Sequence, residues 1–177
     1  MKALKIKNYS HALVGTYPFH DNLKKELVPL LEESVDTLSE TTNVKATHTV
    51  WNWLPDNTKV KNLKKFILSE IKEYYKPGCI NEDVRNLDVV NFWGNLYEKN
   101  DYARSHHHIP FLYSFAYILK SKWYHPSFIF TDSGKKIPSK EWTYIIFPSY
   151  MWHHVPKNRF KEYRMTLSGN VSEVSES

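Results

Sequence analysis

The chain has 177 residues, of which 24% are charged and 15% aromatic, and it carries a formal net charge of +5. This composition excludes a disordered chain and is typical of a globular protein long enough to bury a hydrophobic core. A single cysteine, Cys79, excludes an internal disulfide framework and favours a reducing compartment, so we expect a cytoplasmic protein.

The charge and hydropathy patterns exclude several kinds of partner. The positive charge is spread along the chain without a recognised nucleic-acid-binding motif, so we expect no nucleic-acid partner. No segment approaches the ~18 consecutive apolar residues of a membrane span, and we expect no membrane partner. The composition is compatible with an oligomer as well as with a monomer.

Two helices are predicted in the first half of the chain. Apolar residues recur at helical spacing over Asp21–Leu38, although Pro29 within this run indicates a kink or a late helix start. Apolar residues also mark one face of a second helix over Val60–Tyr74, which the Pro77-Gly78 pair ends. Between them, the alternating run Thr47–Trp53 predicts an edge strand.

The second half of the chain changes to the aromatic and β-branched runs that are typical of strands. The five predicted strands are Leu87–Leu96, Leu112–Leu119, Ser127–Thr131, Trp142–Phe147 and Phe160–Ser168. The polar residues from Ser172 to Ser177 are expected to be frayed. Short strands that follow two helices predict a mainly β domain of sandwich or jelly-roll type. We expect a single domain over residues 1–177, with a helical part over 1–85 and a jelly-roll core over 86–170.

The nine histidines are unevenly distributed, and five of them fall in two clusters. Alternate residues of an extended segment face the same way, so His106 and His108 can hold one metal ion while His107 points away. His153 or His154 can supply a third ligand from a distant strand, which leaves coordination positions open for catalysis. The alternative is a solvated loop that happens to contain three histidines.

Arg164 suggests an anion-binding group near the histidines. It lies eleven positions after His153, inside an apolar strand, where a guanidinium is costly unless it meets an anion. Thr166 faces the same side with a hydroxyl, and a guanidinium pairs with a carboxylate through two parallel hydrogen bonds. This arrangement suits a dicarboxylate that chelates the metal with its other end. The alternative is an ion pair between Arg164 and a structural Asp or Glu.

The order of these motifs resembles the small iron(II)- and 2-oxoglutarate-dependent oxygenases of bacteria and phages, which are related to prolyl hydroxylases. That family has a His-x-His segment, a Ser before a Tyr-containing strand, an "FPS…H.V" element and a terminal "R.S..N" element. The corresponding residues here are His106–His108, Ser114–Leu119, Phe147–Val155, and Arg164 with Asn170. The resemblance covers Asp88 to Asn170, about half of the chain.

The resemblance implies a double-stranded β-helix, or jelly roll, and a dioxygenase that hydroxylates a small-molecule or peptidyl substrate. It implies Fe(II) ligands at His106, His108 and His153, and it pairs Arg164 with the distal carboxylate of 2-oxoglutarate. Thr166 stands where the family usually has Ser and keeps the hydroxyl. Tyr117 lies on a strand that often gives the cosubstrate a polar contact, with a packing role as its alternative.

Two departures from the family pattern leave other functions open. The wider superfamily has Asp or Glu at the position of His108, so three neutral ligands are expected to hold the metal less tightly. Asp101 and Asp132 are the nearest carboxylates that could replace His108. Phe115 stands where relatives tend to have Gly and is expected to narrow the pocket. The alternatives are a three-histidine, cupin-like metal enzyme without 2-oxoglutarate, and a non-catalytic jelly-roll binding module.

Overall fold

The computed structural model describes residues 7–9, 11–34, 43–74 and 86–174. The helices in these residues are α1, His20–Ser34, and α2, Thr58–Tyr74. The strands are β1 (Lys7–Tyr9), β2 (Ala12–Thr16), β3 (Val44–Lys45), β4 (Thr47–His48), β5 (Leu87–Tyr97), β6 (Tyr102–His106), β7 (Tyr113–Lys120), β8 (Phe128–Phe130), β9 (Lys136–Ile137), β10 (Thr143–Pro148), β11 (His153–Val155) and β12 (Arg164–Glu173). The predictions for Val35, Leu38, Pro77-Gly78 and Cys79 lie outside the described residues.

Both predicted helices are present, and each buries one apolar face. Helix α1 continues through Pro29, so the predicted late start is wrong. Helix α2 is capped by Asn57, whose Oδ1 accepts the backbone N–H groups of Lys59 and Val60 at 2.9 and 3.1 Å. The buried helix residues join one large core with the outer face of a β-sheet. Within the described residues, neither helix is long and apolar enough to span a membrane.

The described strands form two antiparallel sheets. The major sheet has the order β1-β2-β10-β7-β12-β5-β4, and the minor sheet has the order β3-β6-β11-β8-β9. Apolar side chains from the inner faces of both sheets form a second core between them, with Phe128, Phe130 and Phe147 as its largest members. The result is a sandwich whose major sheet is covered by the helices on its outer face.

The five strands predicted in the second half are present, but the bounds of the last one differ. Strand β12 begins at Arg164 and extends to Glu173, because it pairs with β5 along its whole length. Ser172 is therefore paired with Asp88 rather than frayed, and the first four residues of the predicted run, 160–163, precede the strand. Of the predicted strand Thr47–Trp53, only Thr47–His48 is a strand, because β5 pairs with that dipeptide.

Three of the strands that the sequence did not predict shape the sandwich. Strand β2 pairs with β10 in the major sheet, so the part over residues 1–85 is not purely helical. Strands β6 and β11 pair with each other in the minor sheet. All three are short, and their pairing partners stabilise them more than their own sequence pattern does.

Close packing near the middle of the major sheet depends on Gly169. This residue pairs with Phe115 on the neighbouring strand, and Phe115 is buried. A Cβ atom at position 169 would lie 2.5 Å from Phe115 Cε1 and 2.7 Å from the backbone oxygen of Asn91. Only glycine therefore leaves room for the Phe115 ring at this place.

Candidate active site

Three histidines from the two predicted clusters come together between the sheets. His106 ends β6, His153 begins β11, and the two residues are paired in register. His108 comes from the loop after β6, where its backbone N–H donates to Ser149 O at 2.8 Å. The candidate ligand nitrogens of these residues, which we call the histidine triad, all lie within 4.8 Å of one another. Among the described residues, no other group of His, Cys, Asp and Glu has this spacing.

Backbone carbonyls fix the orientation of two rings of the triad. His106 Nδ1 donates to Arg104 O at 2.7 Å, and His153 Nδ1 donates to Met151 O at 3.0 Å. Because Nδ1 carries the proton in each ring, the lone pair of Nε2 is left for a metal ion. Carbonyl contacts of this kind commonly set the tautomer of metal-binding histidines.

Burial keeps the triad uncharged at neutral pH. Desolvation is the main cause that lowers the pKa of His106, and it lowers the pKa of His108 to about 3. The pKa of His153 is well below its ordinary value for the same reason, and the neighbouring imidazoles lower it further. Neutral imidazole is the form that binds metal, so the triad is ready to bind without first losing protons.

The other two clustered histidines face away from the triad. The His107 ring packs edge-on against the Trp152 ring, with centroids 4.7 Å apart. His154 Nδ1 instead forms a hydrogen bond with Thr131 Oγ1 at 3.0 Å. The structure therefore brings together His106, His108 and His153, as the sequence predicted, and leaves His107 and His154 outside.

Neither carboxylate considered as a replacement for His108 joins the triad. Asp101 Oδ2 accepts the backbone N–H of Glu98 at 2.9 Å. Asp132 lines a separate surface pocket with Tyr150 and Trp152. The group that can hold a metal ion is therefore three neutral imidazoles, without a carboxylate from the described residues.

The triad and Arg164 line one cavity between the sheets. Its volume is about 460 Å³ with the open mouth included. The lining residues are Val44, Trp93, Asn95, Tyr97, Ala103, His106, His108, Phe115, Ala116, Phe128, Phe147, His153, Val155, Arg164, Thr166 and Ser168. Phe115, which the sequence predicted would narrow the pocket, contributes to the lining, but its side chain packs in the core beneath the helices, on the same face of the sheet as Tyr117.

Arg164 brings a buried positive charge into this cavity. Its side chain is only 1% exposed, and Nε donates to Ser139 Oγ at 2.7 Å. The guanidinium carbon lies 5.0 Å from the centroid of the Tyr97 ring. Nη1 has no hydrogen-bond partner, and no carboxylate of the described residues forms an ion pair with Arg164. A buried charge without a counter-ion is costly, which favours an anion as the missing partner.

A strip of hydroxyl and amide groups lies beside Arg164. Asn95 Nδ2 donates to Thr166 Oγ1 at 3.2 Å and to Ser168 Oγ at 3.3 Å. Thr166 and Arg164 both line the cavity, as expected for residues two apart on a strand. No site role was predicted for Asn95 from the sequence, although an amide at two-residue spacing from Trp93 in an apolar strand was a usable signal. Ser139 was not predicted either, and it carries no such signal because it lies in a loop.

Tyr117 lies on the opposite face of the major sheet and does not line the cavity. The register pairs Tyr117 with Leu167 rather than with Thr166. Its hydroxyl forms a hydrogen bond with His20 Nδ1, and its ring packs edge-on against Tyr17. This position does not fit the predicted contact between Tyr117 and a cosubstrate. It fits the alternative, a packing role beneath helix α1.

Comparison with known proteins identifies the fold. No protein-family model matches the sequence, and no curated protein matches it. A viral collagen prolyl hydroxylase from Paramecium bursaria Chlorella virus-1, solved with 2-oxoglutarate, matches with a TM-score of 0.72 and 14% identity over 93% of this chain and 97% of that one. A prolyl-4-hydroxylase from Pseudomonas putida matches with a TM-score of 0.71 and 13% identity over 94% and 95% of the two chains.

A third solved structure binds both a metal ion and 2-oxoglutarate. HygX from Streptomyces hygroscopicus, with nickel and 2-oxoglutarate bound, matches with a TM-score of 0.68 and 11% identity over 93% of this chain and 83% of that one. The chain thus has the double-stranded β-helix fold of 2-oxoglutarate/Fe(II) oxygenases, and the predicted fold is confirmed.

Proposed function

We propose that this chain is an Fe(II)- and 2-oxoglutarate-dependent oxygenase that hydroxylates its substrate. One observation carries the proposal: three neutral imidazoles and an arginine with an unpaired, buried Nη1 line the same cavity. The first group suits a metal ion, and the second suits a carboxylate. A 2-oxo dicarboxylate is the kind of molecule that meets both needs at once.

The triad would hold the iron. Imidazole is a common ligand of non-haem iron, and His106 and His153 already present Nε2 lone pairs. Three protein ligands leave coordination positions free for a chelating cosubstrate and for dioxygen. When bound, Fe(II) and 2-oxoglutarate supply the oxidising chemistry, in which dioxygen converts the cosubstrate to succinate and carbon dioxide and oxidises the substrate.

Arg164 and Thr166 would bind the distal carboxylate of the cosubstrate. A guanidinium in an almost dry site pairs strongly with a carboxylate, and Thr166 brings a hydroxyl from the same strand into the same cavity. Phe128 and Phe147 line the remaining walls and would exclude water from the metal. These residues bind and orient the cosubstrate, and the oxidation itself takes place at the metal.

The absence of a carboxylate from the triad favours one competing function. A cupin-like enzyme that uses a metal ion without 2-oxoglutarate would need the triad but not Arg164. A non-catalytic binding module would need neither group. Metal content and dependence on Arg164 separate the three functions.

Anaerobic spectroscopy and product analysis test the proposal. Addition of Fe(II) and 2-oxoglutarate to the protein without oxygen should produce a weak visible charge-transfer band. Admission of oxygen should then yield succinate. Arg164→Ala should reduce succinate formation at least about 100-fold, because it removes a charge-assisted, bidentate contact. Arg159→Ala, which removes an exposed arginine, is the matched control and should leave succinate formation unchanged.

Each competing function predicts a different result. If metal binds but neither the band nor succinate appears, the cupin-like enzyme is favoured. If the protein contains no metal above background and His106→Ala folds normally, the binding module is favoured.

The substrate class, the partners and the location belong to the same proposal. We infer a small-molecule or peptidyl substrate, since one structural neighbour is described as a collagen prolyl hydroxylase and another was solved with hygromycin B bound. We expect no nucleic-acid or membrane partner, and the single cysteine supports a cytoplasmic location. A phage-type origin is part of the same proposal, and the viral source of one structural neighbour supports it.

A further inference from the structure

Arg164 is held in place by a residue from a distant part of the chain. Ser139 lies in the loop between β9 and β10, and its Oγ accepts the Arg164 Nε–H at 2.7 Å. Ser139 is only 3% exposed, so water does not compete for this contact. The hydrogen bond restrains the guanidinium through Nε and leaves Nη1 without a partner.

Ser139 is itself held by a buried chain of hydrogen bonds. Ser121 Oγ donates its single hydrogen to Ser139 Oγ at 3.0 Å. His125 Nδ1 accepts the backbone N–H of Lys122, the residue after Ser121, at 3.0 Å, so the imidazole proton is on Nε2 and the 3.2 Å approach of Ser121 Oγ to Nδ1 is a packing contact. Ser121 and His125 are buried, so water does not compete for their hydrogen bonds and the same partners are kept.

At its other end, this set of hydrogen bonds reaches the segment just before the strand that carries Arg164. His125 Nε2 donates to the backbone carbonyl of Glu162 at 3.1 Å, two residues before Arg164. Asn158 Nδ2 donates to the same carbonyl at 3.0 Å. One hydrogen-bonded unit therefore restrains both the Arg164 side chain and the backbone just before Arg164. We call this unit the serine–histidine network (Ser121, His125 and Ser139).

We propose that Ser139 is a positioning residue, which the serine–histidine network holds so that the Arg164 guanidinium is pre-oriented toward the distal carboxylate of a 2-oxo dicarboxylate. This inference rests on the proposed function. It goes beyond the proposed function because it assigns cosubstrate selectivity to a residue outside the family pattern. Pre-orientation increases affinity because the side-chain entropy of Arg164 is lost on folding rather than on binding.

The chemistry of the positioning group supports this role. An Asp or Glu at this place would also restrain Arg164, but it would neutralise the guanidinium and compete with the incoming carboxylate. A serine hydroxyl orients the guanidinium and leaves its positive charge uncompensated. Among the described residues, Arg164 accordingly has a hydroxyl partner and no ion-pair partner.

A comparison of two 2-oxo acids distinguishes positioning from a general structural role. Both 2-oxoglutarate and 2-oxobutyrate chelate a metal ion through the same 2-oxo acid group, but only 2-oxoglutarate has a distal carboxylate. Calorimetry with the Ni(II)-loaded protein measures both dissociation constants without turnover. Ser139→Ala should raise the Kd of 2-oxoglutarate about tenfold, the size expected for one hydrogen bond to a charged group. The Kd of 2-oxobutyrate should not change.

Two further variants keep the test decisive. Ser133→Ala removes an exposed serine from the turn between β8 and β9 and should leave both dissociation constants unchanged. Ser121→Ala removes the next member of the network and should raise the Kd of 2-oxoglutarate about threefold, again without effect on 2-oxobutyrate. It replaces Ser139→Ala if that variant fails to fold.

The outcomes separate this inference from the proposed function. Equal weakening of both 2-oxo acids, or no weakening of either, would overturn the positioning role while leaving the oxygenase proposal intact. Failure of the unsubstituted protein to bind 2-oxoglutarate in the presence of Ni(II) would instead overturn the oxygenase proposal, and the inference with it.

Discussion

Two clusters of buried and half-buried polar residues lie on opposite faces of the major sheet, and they differ in how their charges are balanced. The outer cluster, beneath α1, contains His20, Tyr117 and both members of an ion pair, with Lys24 Nζ 2.6 Å from Glu141 Oε2. The inner cluster contains Arg164 without any carboxylate partner among the described residues. The outer cluster holds both signs of charge, whereas the inner one holds only a positive charge.

This difference indicates which buried cluster serves a ligand. Polar groups that stabilise a fold are usually paired within it, because an unpaired buried charge costs several kcal/mol. The charged groups of the outer cluster follow that rule and lie beneath or on a helix, although the neutral His20 Nε2 has no hydrogen-bond partner in the described part of the chain. The inner cluster breaks the rule beside an open cavity that also holds three neutral imidazoles. Whether a buried charge has a partner within the fold is thus a better indicator of a ligand site than its burial or its charge alone.

Removal of a triad histidine should give the largest effect on the inner site. His153→Ala should weaken Ni(II) or Fe(II) binding at least about 100-fold, because first-sphere ligands contribute more than the outer contacts whose loss costs 10- to 100-fold. Metal titration with a competing chelator measures the change. His154→Ala is the control and should leave the affinity unchanged, because His154 contacts Thr131 instead. Equal losses in both variants would contradict the assignment of the triad.

The outer cluster should make the protein less stable in acid. The pKa of His20 is lowered to about 4, with burial as the largest cause. An unfolded chain binds a proton at this group near pH 6.5, but the folded chain does not until about pH 4, so stability is complete above pH 6.5 and falls as the pH falls. We expect His20 to account for about 2 kcal/mol of lost stability between pH 7 and pH 5.

Urea unfolding of the unsubstituted protein and of His20→Gln at both pH values isolates that contribution. The other buried histidines titrate in both proteins, so the difference between the two pH dependences belongs to position 20. Identical pH dependences would show that His20 is not held in its neutral form by the fold.

A carboxylate placed in the inner site should change metal affinity in the opposite direction from the triad deletion. His108→Asp introduces the negative charge that the three imidazoles lack, and an effective gain of about tenfold in Fe(II) affinity is expected from one added charge in a partly solvated site. Competition with a chelator again gives the affinity. A loss of affinity would mean that the aspartate is too short to reach the ion from this loop.

The smallest expected effect tests whether Tyr117 belongs to the outer cluster alone. Tyr117→Phe should lower the free energy of unfolding by about 1–2 kcal/mol, because His20 loses its buried hydrogen-bond partner. The Kd of 2-oxoglutarate should stay the same, since Tyr117 does not line the cavity. A weaker 2-oxoglutarate complex with unchanged stability would restore the cosubstrate contact that the sequence suggested.

The sequence predicted those parts of the site that depend on one segment at a time. Alternation within a strand places Arg164 and Thr166 on one face, and the structure has both in the cavity wall. Which face Tyr117 takes depends on its register with β12, where a bulge lies between Met165 and Thr166. That register is a tertiary property, so alternation within one strand does not predict it.

Two other features could not be predicted from the sequence, for related reasons. Strand β11 has only three residues, and two of them are histidines, so it is too short and too polar to show the alternation of a strand. Ser139 lies in a loop, and its contact with Arg164 joins residues 25 positions apart. The helices and the long strands were predictable because each carries its own apolar period over many residues.

The contact between Gly169 and Phe115 has a consequence for the evolution of this sandwich. Phe115 occupies space that a Cβ atom at position 169 would need, so substitutions at the two positions are coupled. A lineage can acquire a side chain at 169 only after the aromatic ring at 115 has been lost. The backbone oxygen of Asn91 would lie 2.7 Å from the same Cβ atom, so a side chain at 169 also requires the neighbouring strand to shift. We therefore expect homologues to keep glycine at 169, most strictly where the residue at 115 is aromatic.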